Sequence, residues 1–231
     1  MRRPDAPAAG GAGPVKIFLA SANAKKILEM QRILAEHVPG IEVLGIGDVD
    51  GYVEPVEDQP TFEGNALLKA RAGVAATGLP AVADDSGLCV DALNGMPGVL
   101  SARWSGSSKA VEGGRDARNN ELLLDQLHDV PDERRGAHFT CAVAWVMPDG
   151  RERVVEGRMD GRIIREVRGS GGFGYDVVFV AVEHDAEDLT SAELGPGEKD
   201  LISHRGRALR ELAPYVAADL FGTEPSAGSG D

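Results

Sequence analysis

Apolar and polar positions along this chain follow two different periods, which predict strands and helices in alternation. Residues 15–20 form an apolar run that is typical of a buried strand. A helical spacing comes next, because Ile27, Met30 and Leu34 share one face. Residues 41–46 then repeat the apolar run of a strand. Strands that alternate with helices in this way favour an α/β fold.

The middle of the chain continues this pattern. A helix is predicted to begin near Thr61 and to lead into a strand at residues 82–86. Its buried face is formed by Phe62, Ala66, Ala70 and Val74. Residues 95–106 are expected to form a long loop, in which Arg103 either lines a cleft or fixes the loop. A polar helix is predicted to follow at residues 115–127.

The second half of the chain predicts an antiparallel pair of strands. Pro148-Asp149-Gly150 separates the strand-like runs 137–147 and 151–161, and Asp-Gly in that position is a hairpin signal. Residues 176–182 have the pattern of one more strand, and Ser203 is placed to cap the final helix. Because a hairpin is antiparallel, the sheet is expected to be mixed.

Length and composition favour one globular domain. The chain has 231 residues, of which 42% are hydrophobic and 26% charged. Residues 1–13 and 223–231 are rich in small and polar residues and are expected to be disordered tails, which leaves residues 14–222 as a single domain. The net charge of −13 argues against nucleic acid as a partner, and no apolar run is long enough to span a membrane.

The cysteines and the start of the chain bear on the compartment. Cys89 and Cys141 are the two cysteines, and without metal-ligand spacing they favour buried thiols in a reducing cytoplasm. A disulfide between them is the alternative. Met1 is not followed by an apolar segment of the secretory type, so a cytoplasmic location is expected.

Two adjacent carboxylates, Asp84 and Asp85, end the apolar run at residues 79–83 and are followed by Ser86 and Gly87. Two acids at the mouth of a buried strand repel each other and resist desolvation. A divalent cation such as Mg²⁺ would remove that cost, because carboxylate oxygens suit it as ligands. The alternative is a solvated turn, since Asp, Ser and Gly are ordinary turn residues.

Cations stand at the starts of two predicted helices. Lys25 and Lys26 fall in a first helical turn, where positive charge opposes the helix dipole. A bound phosphate would reverse that penalty, because helix N-termini attract anions. The alternative is that both lysines extend into water. The final helix repeats this arrangement with Arg205 and Arg207, and the alternative for the pair His204-Arg205 is an ordinary surface position.

A glycine-rich segment at residues 169–174 matches the spacing G-x-G-x-x-G but lacks the setting of a dinucleotide fingerprint. Such a fingerprint follows a strand and opens a helix, whereas a strand pattern comes after this one. A Rossmann site is therefore rejected. Phe173 and Tyr175 are candidates to offer a flat face to a base, and the alternative is a glycine-rich turn with core aromatics.

Six motifs together resemble those of one family. They are Ser21-x-Asn23-x-x-Lys26, Thr61-Phe62-Glu63-Gly64-Asn65-Ala66, Ala83-Asp84-Asp85-Ser86-Gly87-Leu88, Pro97-Gly98 with Ser101-Ala102-Arg103, Gly171-Gly172-Phe173-Gly174-Tyr175-Asp176, and Ser203-His204-Arg205-Gly206. In order and spacing they are similar to the inosine triphosphate pyrophosphatase family, hydrolases of non-standard purine nucleoside triphosphates. The resemblance covers nearly the whole core. It implies an α/β fold with an elongated mixed β-sheet flanked by helices, in two lobes with a central substrate cleft.

The resemblance also implies a reaction and the residues that carry it. The reaction is hydrolysis of ITP, dITP or XTP to the monophosphate and pyrophosphate with Mg²⁺ as cofactor, by a cytoplasmic homodimer. Asp85 is implied as the catalytic residue and, together with Glu57, as a metal ligand. The residues implied to bind substrate are Ser21, Ala22, Asn23, Ala24, Lys25 and Lys26 at the triphosphate, Ser86 at the substrate, Phe173, Gly174, Tyr175 and Asp176 at the base and ribose, Lys199 at phosphate, and His204 and Arg205 at the purine.

Two positions depart from the family pattern, and two other functions fit the same residues. Ala22 stands where the family often has Gly, and Gly64 stands where it often has a second Glu. Neither change removes a chemical group that the reaction needs. The other functions are a nucleotide-binding module without catalysis and a related hydrolase of modified pyrimidine triphosphates.

Overall fold

The fold is a six-stranded sheet covered by helices on both faces. The computed structural model describes residues 14–106 and 114–223. The strands are β1 Val15–Leu19, β2 Ile41–Leu44, β3 Ala81–Val90, β4 Gly136–Val146, β5 Glu152–Ile163 and β6 Phe179–Ala181. The α-helices are α1 Ala24–Ala35, α2 Phe62–Thr77, α3 Gly114–Gln126, α4 Pro196–Ile202 and α5 His204–Phe221. The expectation of disordered tails concerns residues that, apart from Thr223, lie outside those described.

The sheet is mixed, as predicted. Its strand order is β2-β1-β3-β4-β5-β6, in which β1 runs parallel to β2 and β3 and the remaining neighbours are antiparallel. Strands β4 and β5 form the predicted hairpin, closed by a turn in which the Gly150 N–H donates to the Met147 carbonyl at 3.0 Å. The α/β fold class is therefore confirmed.

Strand β3 is longer than the sequence pattern indicated. Its parallel pairing with β1 ends at Leu19 and Val82, but its antiparallel pairing with β4 continues to Val90. The expectation that Asp84 and Asp85 stand at the mouth of a strand was therefore wrong. Both lie inside a strand, just beyond the point where its neighbour β1 stops, so their side chains are open to residues from other elements.

Separate apolar clusters pack the two ends of the long strands. One end packs the strands against α1 and α5 on one face and against α2 on the other. The other end has its own cluster, which includes Leu88, Phe139 and Phe179. Where the sheet meets α5 the contact is close, because a side chain at Gly157 would overlap the carbonyl of His204.

The sequence predicted the starts of the helices more accurately than the ends of the shorter strands. The N-caps of α1, α2 and α5 are Asn23, Thr61 and Ser203, and each side chain accepts a backbone N–H of its own first turn. Strand β2 stops short of residue 46, and residues 176–178 form a 3₁₀ turn before the three-residue β6. Helix α4 was not predicted. No helix in the described ranges is long and apolar enough to cross a membrane.

Candidate active site

Lys26 and Asp84 meet although 58 residues separate them in the sequence. The Lys26 Nζ donates to Asp84 Oδ2 at 2.8 Å and to Oδ1 at 3.1 Å. Arg205 comes from α5 to the same carboxylate, with its Nε 3.1 Å from Asp84 Oδ2 and its terminal nitrogen 3.4 Å from the Ser86 hydroxyl. The cations at the starts of α1 and α5 therefore converge on one buried carboxylate of β3.

These charges decide the ionisation of Asp84. The residue is only 6% exposed, and burial alone would raise its pKa. The positive charges of Lys26 and Arg205 outweigh burial and hold the pKa of this carboxyl far below its ordinary value. Asp84 is therefore a fixed negative charge, and the two cations are held in place before any ligand arrives.

The opposite face of β3 carries a second polar cluster. Asp85 Oδ2 accepts from the Asn65 amide at 3.0 Å, and its Oδ1 lies 3.4 Å from the Lys69 Nζ. The same Nζ donates to Glu57 Oε1 at 2.7 Å. Asn65 and Lys69 come from α2 and are buried at the bottom of this cluster. One ammonium group therefore links the two carboxylates that were predicted as metal ligands.

The pKa values in this cluster shift in directions that suit proton transfer. Burial raises the pKa of Asp85 by more than Lys69 and Asn65 lower it. Burial lowers the pKa of Lys69, but Asp85 and Glu57 together raise it above its ordinary value. Lys69 therefore stays charged, whereas Asp85 holds a proton more readily than an exposed aspartate.

The loop that contains Glu57 is held by residues from elsewhere in the chain. The Arg103 guanidinium donates to the Glu57 carbonyl at 3.1 Å and lies 3.5 Å from its carboxylate, so Arg103 fixes the loop. The Gln59 N–H donates to the Asn65 side chain at 3.0 Å. A Cβ at Gly64 would stand 2.8 Å from the Cβ of Gln59, so the departure from the family pattern at this position leaves room for this loop.

The residues predicted at the triphosphate form the start of α1. Ser21 Oγ accepts from the Asn23 N–H at 3.1 Å, and the Asn23 side chain accepts from the Lys25 N–H at 2.9 Å. Ala22, Asn23, Ala24 and Lys25 are exposed. This turn places the exposed Lys25 beside the Lys26–Asp84 pair at a helix start, and helix starts and lysines are groups that bind phosphate.

A third group of predicted residues lies on the loop before β6. Asp176 is buried, accepts from the Phe173 N–H at 2.8 Å and pairs with Lys199 of α4. The Phe173 ring is 62% exposed, and the Lys199 Nζ lies 5.4 Å from its centre. Tyr175 is buried instead, and its hydroxyl donates to the Ser101 carbonyl at 2.9 Å. The aromatic face open to a ligand is therefore Phe173, and residue 175 offers a ligand only its backbone.

His204 is the first residue of α5 and lies next to Arg205. Its ring stacks on Phe139 with the centres 5.0 Å apart, and its Nδ1 is buried without a hydrogen-bond partner among the described residues. Burial, followed by the charges of Arg205 and Lys199, lowers the pKa of His204 to about 3. The imidazole is therefore neutral at physiological pH.

Sequence reasoning missed Lys69 as a member of the site. It described α2 by its apolar face and gave no role to the polar residues between. Asn65 and Lys69 are four residues apart and so share one helical face, and this spacing of a polar and a charged residue was the signal available. Arg103 was predicted to line a cleft or to fix its own loop, and its contact with Glu57 was not predicted.

The fold and the site define an α/β protein in which basic and acidic side chains from several elements meet at one strand of the sheet. The model of the Ham1 family matches residues 17–215. The chain belongs to this family, and the resemblance inferred from the six motifs is confirmed. The two cysteines are free thiols, which removes the alternative of a disulfide.

Similar proteins extend over almost the whole chain. A protein from Nocardia farcinica named dITP/XTP pyrophosphatase is 58% identical over 210 residues, which cover 90% of this chain and 98% of that relative. A protein of the same name from Corynebacterium efficiens is 54% identical over 88% of this chain and 98% of its own length.

Solved structures also match. The crystal structure of a nucleoside-triphosphatase / dITP/XTP pyrophosphatase from Mycobacterium abscessus is 55% identical and has a TM-score of 0.71, covering 86% of this chain and 99% of that chain. A HAM1 protein from Coxiella burnetii is 38% identical with a TM-score of 0.78, covering 87% and 98%.

Proposed function

We propose that this protein hydrolyses non-standard purine nucleoside triphosphates, namely ITP, dITP and XTP, to the monophosphate and pyrophosphate. It thereby removes them from the nucleotide pool. The proposal is supported by relatives named dITP/XTP pyrophosphatase that match over nearly their full length. The observation that carries it is the meeting of Lys26 from α1 and Arg205 from α5 at Asp84 of β3, with Asp85 paired to Lys69 on the opposite face of the same strand.

The residues around Asp85 fit Mg²⁺ as the cofactor. Asp85 and Glu57 are partly exposed carboxylates on one ammonium group, and Mg²⁺ usually binds one or two carboxylates plus substrate phosphates and water. No cluster of three or more His, Cys, Asp or Glu residues that could hold a metal occurs in the described parts of the chain. Two protein ligands agree with a cation that shares its coordination with the substrate. When bound, Mg²⁺ would neutralise phosphate charge and make water a better nucleophile.

The side chains divide the remaining work. A water molecule attacks the α-phosphorus, the bond from this phosphorus to the bridging oxygen of pyrophosphate breaks, and Asp85 accepts the proton of the water. Lys26 and Lys199 stabilise the negative charge that grows on the phosphates. Lys69 stays charged and keeps Asp85 and Glu57 oriented, and Asp84 keeps Lys26 and Arg205 oriented.

Base selection rests on hydrogen-bond donors. Inosine and xanthosine carry an oxygen acceptor at C6, whereas adenosine carries an amino donor. Arg205 is a fixed donor on the face where the base is proposed to lie. A donor facing a donor is penalised, so adenosine triphosphate would be rejected.

Location and assembly are further parts of the proposal. We propose a cytoplasmic protein, which the two free thiols support because unpaired cysteines are usual in reducing compartments. We also propose a homodimer on the strength of the family resemblance. Sedimentation equilibrium at micromolar protein concentration tests the dimer, and a single species of monomer mass would contradict it.

A panel of nucleoside triphosphates, assayed for pyrophosphate with Mg²⁺, tests the function. We expect release from ITP, dITP and XTP and little from ATP, with Asp85→Asn as the inactive control. Tight ITP binding without pyrophosphate release would instead indicate a binding module. Release only from modified pyrimidine triphosphates would indicate the related hydrolase. An assay without Mg²⁺ tests the cofactor, and unchanged activity there would contradict it.

A further inference from the structure

Helix α3 holds both backbone groups of one residue in the loop that carries Phe173. Asp116 Oδ2 accepts from the Gly174 N–H at 2.7 Å, and the Asn120 Nδ2 donates to the Gly174 carbonyl at 2.9 Å. Asp116 and Asn120 lie four residues apart, so they project from one face of α3. Neither residue belongs to the motifs that carried the family resemblance.

The loop needs such tethers, because its own sequence does little to fix its shape. Gly172 and Gly174 both have a left-handed backbone, with φ of +72° and +61°. Glycine loses more conformational entropy on ordering than any other residue. Phe173 lies between them with a largely exposed ring, so core packing does little to hold it. Its orientation depends on Asp176 from the inside of the loop and on α3 from the outside.

Asn120 is a buried residue whose side-chain amide donates to the Gly174 loop. It is 2% exposed, and its Nδ2 donates both to the Gly174 carbonyl and to the Asp116 carbonyl at 2.8 Å. Its Oδ1 has no hydrogen-bond partner among the described residues. A flipped amide would place that oxygen against two carbonyls, so the two acceptors fix the donor orientation. A buried amide with an unpaired oxygen is costly, and its donors are what the structure uses.

We propose that Asp116 and Asn120 are positioning residues that orient Phe173 for the nucleobase, so that α3 contributes to base binding without touching the base. This inference rests on the proposed function, in which Phe173 contacts the base. It adds two residues to the determinants of affinity for the substrate, outside the cleft that holds the phosphates.

Asp116→Ala is the principal test, because the residue is exposed and its loss leaves the core intact. We expect KM for ITP to rise about threefold to tenfold, the value of one hydrogen bond, with kcat within about twofold of the parent protein. Asp125→Ala removes another exposed carboxylate of α3, one that bonds none of the loop residues that the structure describes, and it should change neither constant. An unchanged KM in Asp116→Ala, or equal changes in both variants, would overturn the proposal.

A double-mutant cycle with Phe173→Ala separates positioning from a general structural effect. If the tether acts through the ring, adding Asp116→Ala to Phe173→Ala should raise KM by less than about twofold more. Fully multiplicative effects would contradict the proposal. Asn120→Leu repeats the cycle from the other tether, and if it does not fold, Asp116→Ala alone decides. If the parent protein releases no pyrophosphate, the proposed function fails, and ITP binding by calorimetry gives the same comparison with Kd in place of KM.

Discussion

On the two faces of strand β3, two neighbouring carboxylates have pKa values that shift in opposite directions. On one face Asp84 is buried between Lys26 and Arg205, which hold its pKa far below the ordinary value. On the other face Asp85 lies under α2, bonded to Asn65 and Lys69, and burial raises its pKa. The alternation of side chains along a strand is enough to place two adjacent residues in these two environments.

The difference assigns the roles. Titratable groups whose surroundings push their pKa values apart are suited to different duties in one site. Asp84 cannot readily take a proton and serves as the counter-ion of two cations. Asp85 can take one, and it faces the cluster that fits a metal. Two acids that are adjacent in the sequence therefore have different roles. Asp84 is a fixed charge that orients two cations, and Asp85 is the group that can take a proton.

Asp85→Asn is expected to have the largest effect among the variants that distinguish the two faces of β3. We expect turnover of ITP to fall by about 10²-fold to 10⁴-fold, because the amide accepts no proton and is a poor ligand for Mg²⁺. The fold should remain, since Lys69 keeps its bond to Glu57. Pyrophosphate release and circular dichroism measure the two quantities. Activity near that of the parent protein would remove Asp85 from the chemistry.

Asp84→Asn is expected to lower the free energy of unfolding more than Asp85→Asn does. Removing this charge leaves Lys26 and Arg205 without their buried partner, and breaking such a pair costs about 3 kcal/mol of unfolding free energy. Urea denaturation measures the loss, with Asp85→Asn as the matched control on the other face. Equal losses in the two variants would mean that the two faces do not differ as described.

Arg205→Ala tests whether Arg205 distinguishes ITP from ATP. The ratio of kcat/KM for ITP to that for ATP should fall by about tenfold, because the donor that distinguishes the two bases is lost. The rate with ATP should change less than the rate with ITP. Steady-state kinetics with both nucleotides gives the ratio, and a ratio equal to that of the parent protein would contradict the assignment.

The smallest expected effect is a pH dependence of stability from His204. Its pKa is lowered from 6.5 to about 3 in the folded protein, so between those values the unfolded chain binds more protons. Stability is therefore complete above the unfolded pKa and falls as the pH drops below it, by about 1 kcal/mol between pH 7 and pH 5.5. His204→Gln should remove this part of the pH dependence, whereas exposed His128→Gln should not. Identical pH profiles for the two variants would contradict the prediction.

Local signals predicted the helix starts and the meeting of distant residues. Ser203 caps the final helix as predicted and α2 begins after Thr61 as predicted, because helix starts depend on residues a few positions away. The lysine turn does meet the acidic strand, with Lys26 bonded to Asp84, whereas Asp85 lies on the opposite face with Lys69; phosphate binding at this turn stays a prediction.

Features that depend on distant partners were not predictable in this way. Strand β3 continues past Asp85 because β4 pairs with it there, and no local pattern reports that β1 has already stopped. The burial of Lys69 depends on Glu57 and Asp85, which lie on a loop and a strand outside its helix. The positive charges at helix starts predicted an anion, and the structure provides Asp84 for two of them.

A carboxyl ¹³C NMR titration of the metal-free protein tests the contrast between the two faces most directly. The account predicts that the Asp85 signal titrates above 3.8 while the Asp84 signal stays that of an ionised group to pH values below 3.8. Two signals that titrate together near 3.8 would show that the two acids share one environment, and the division of roles between them would be wrong.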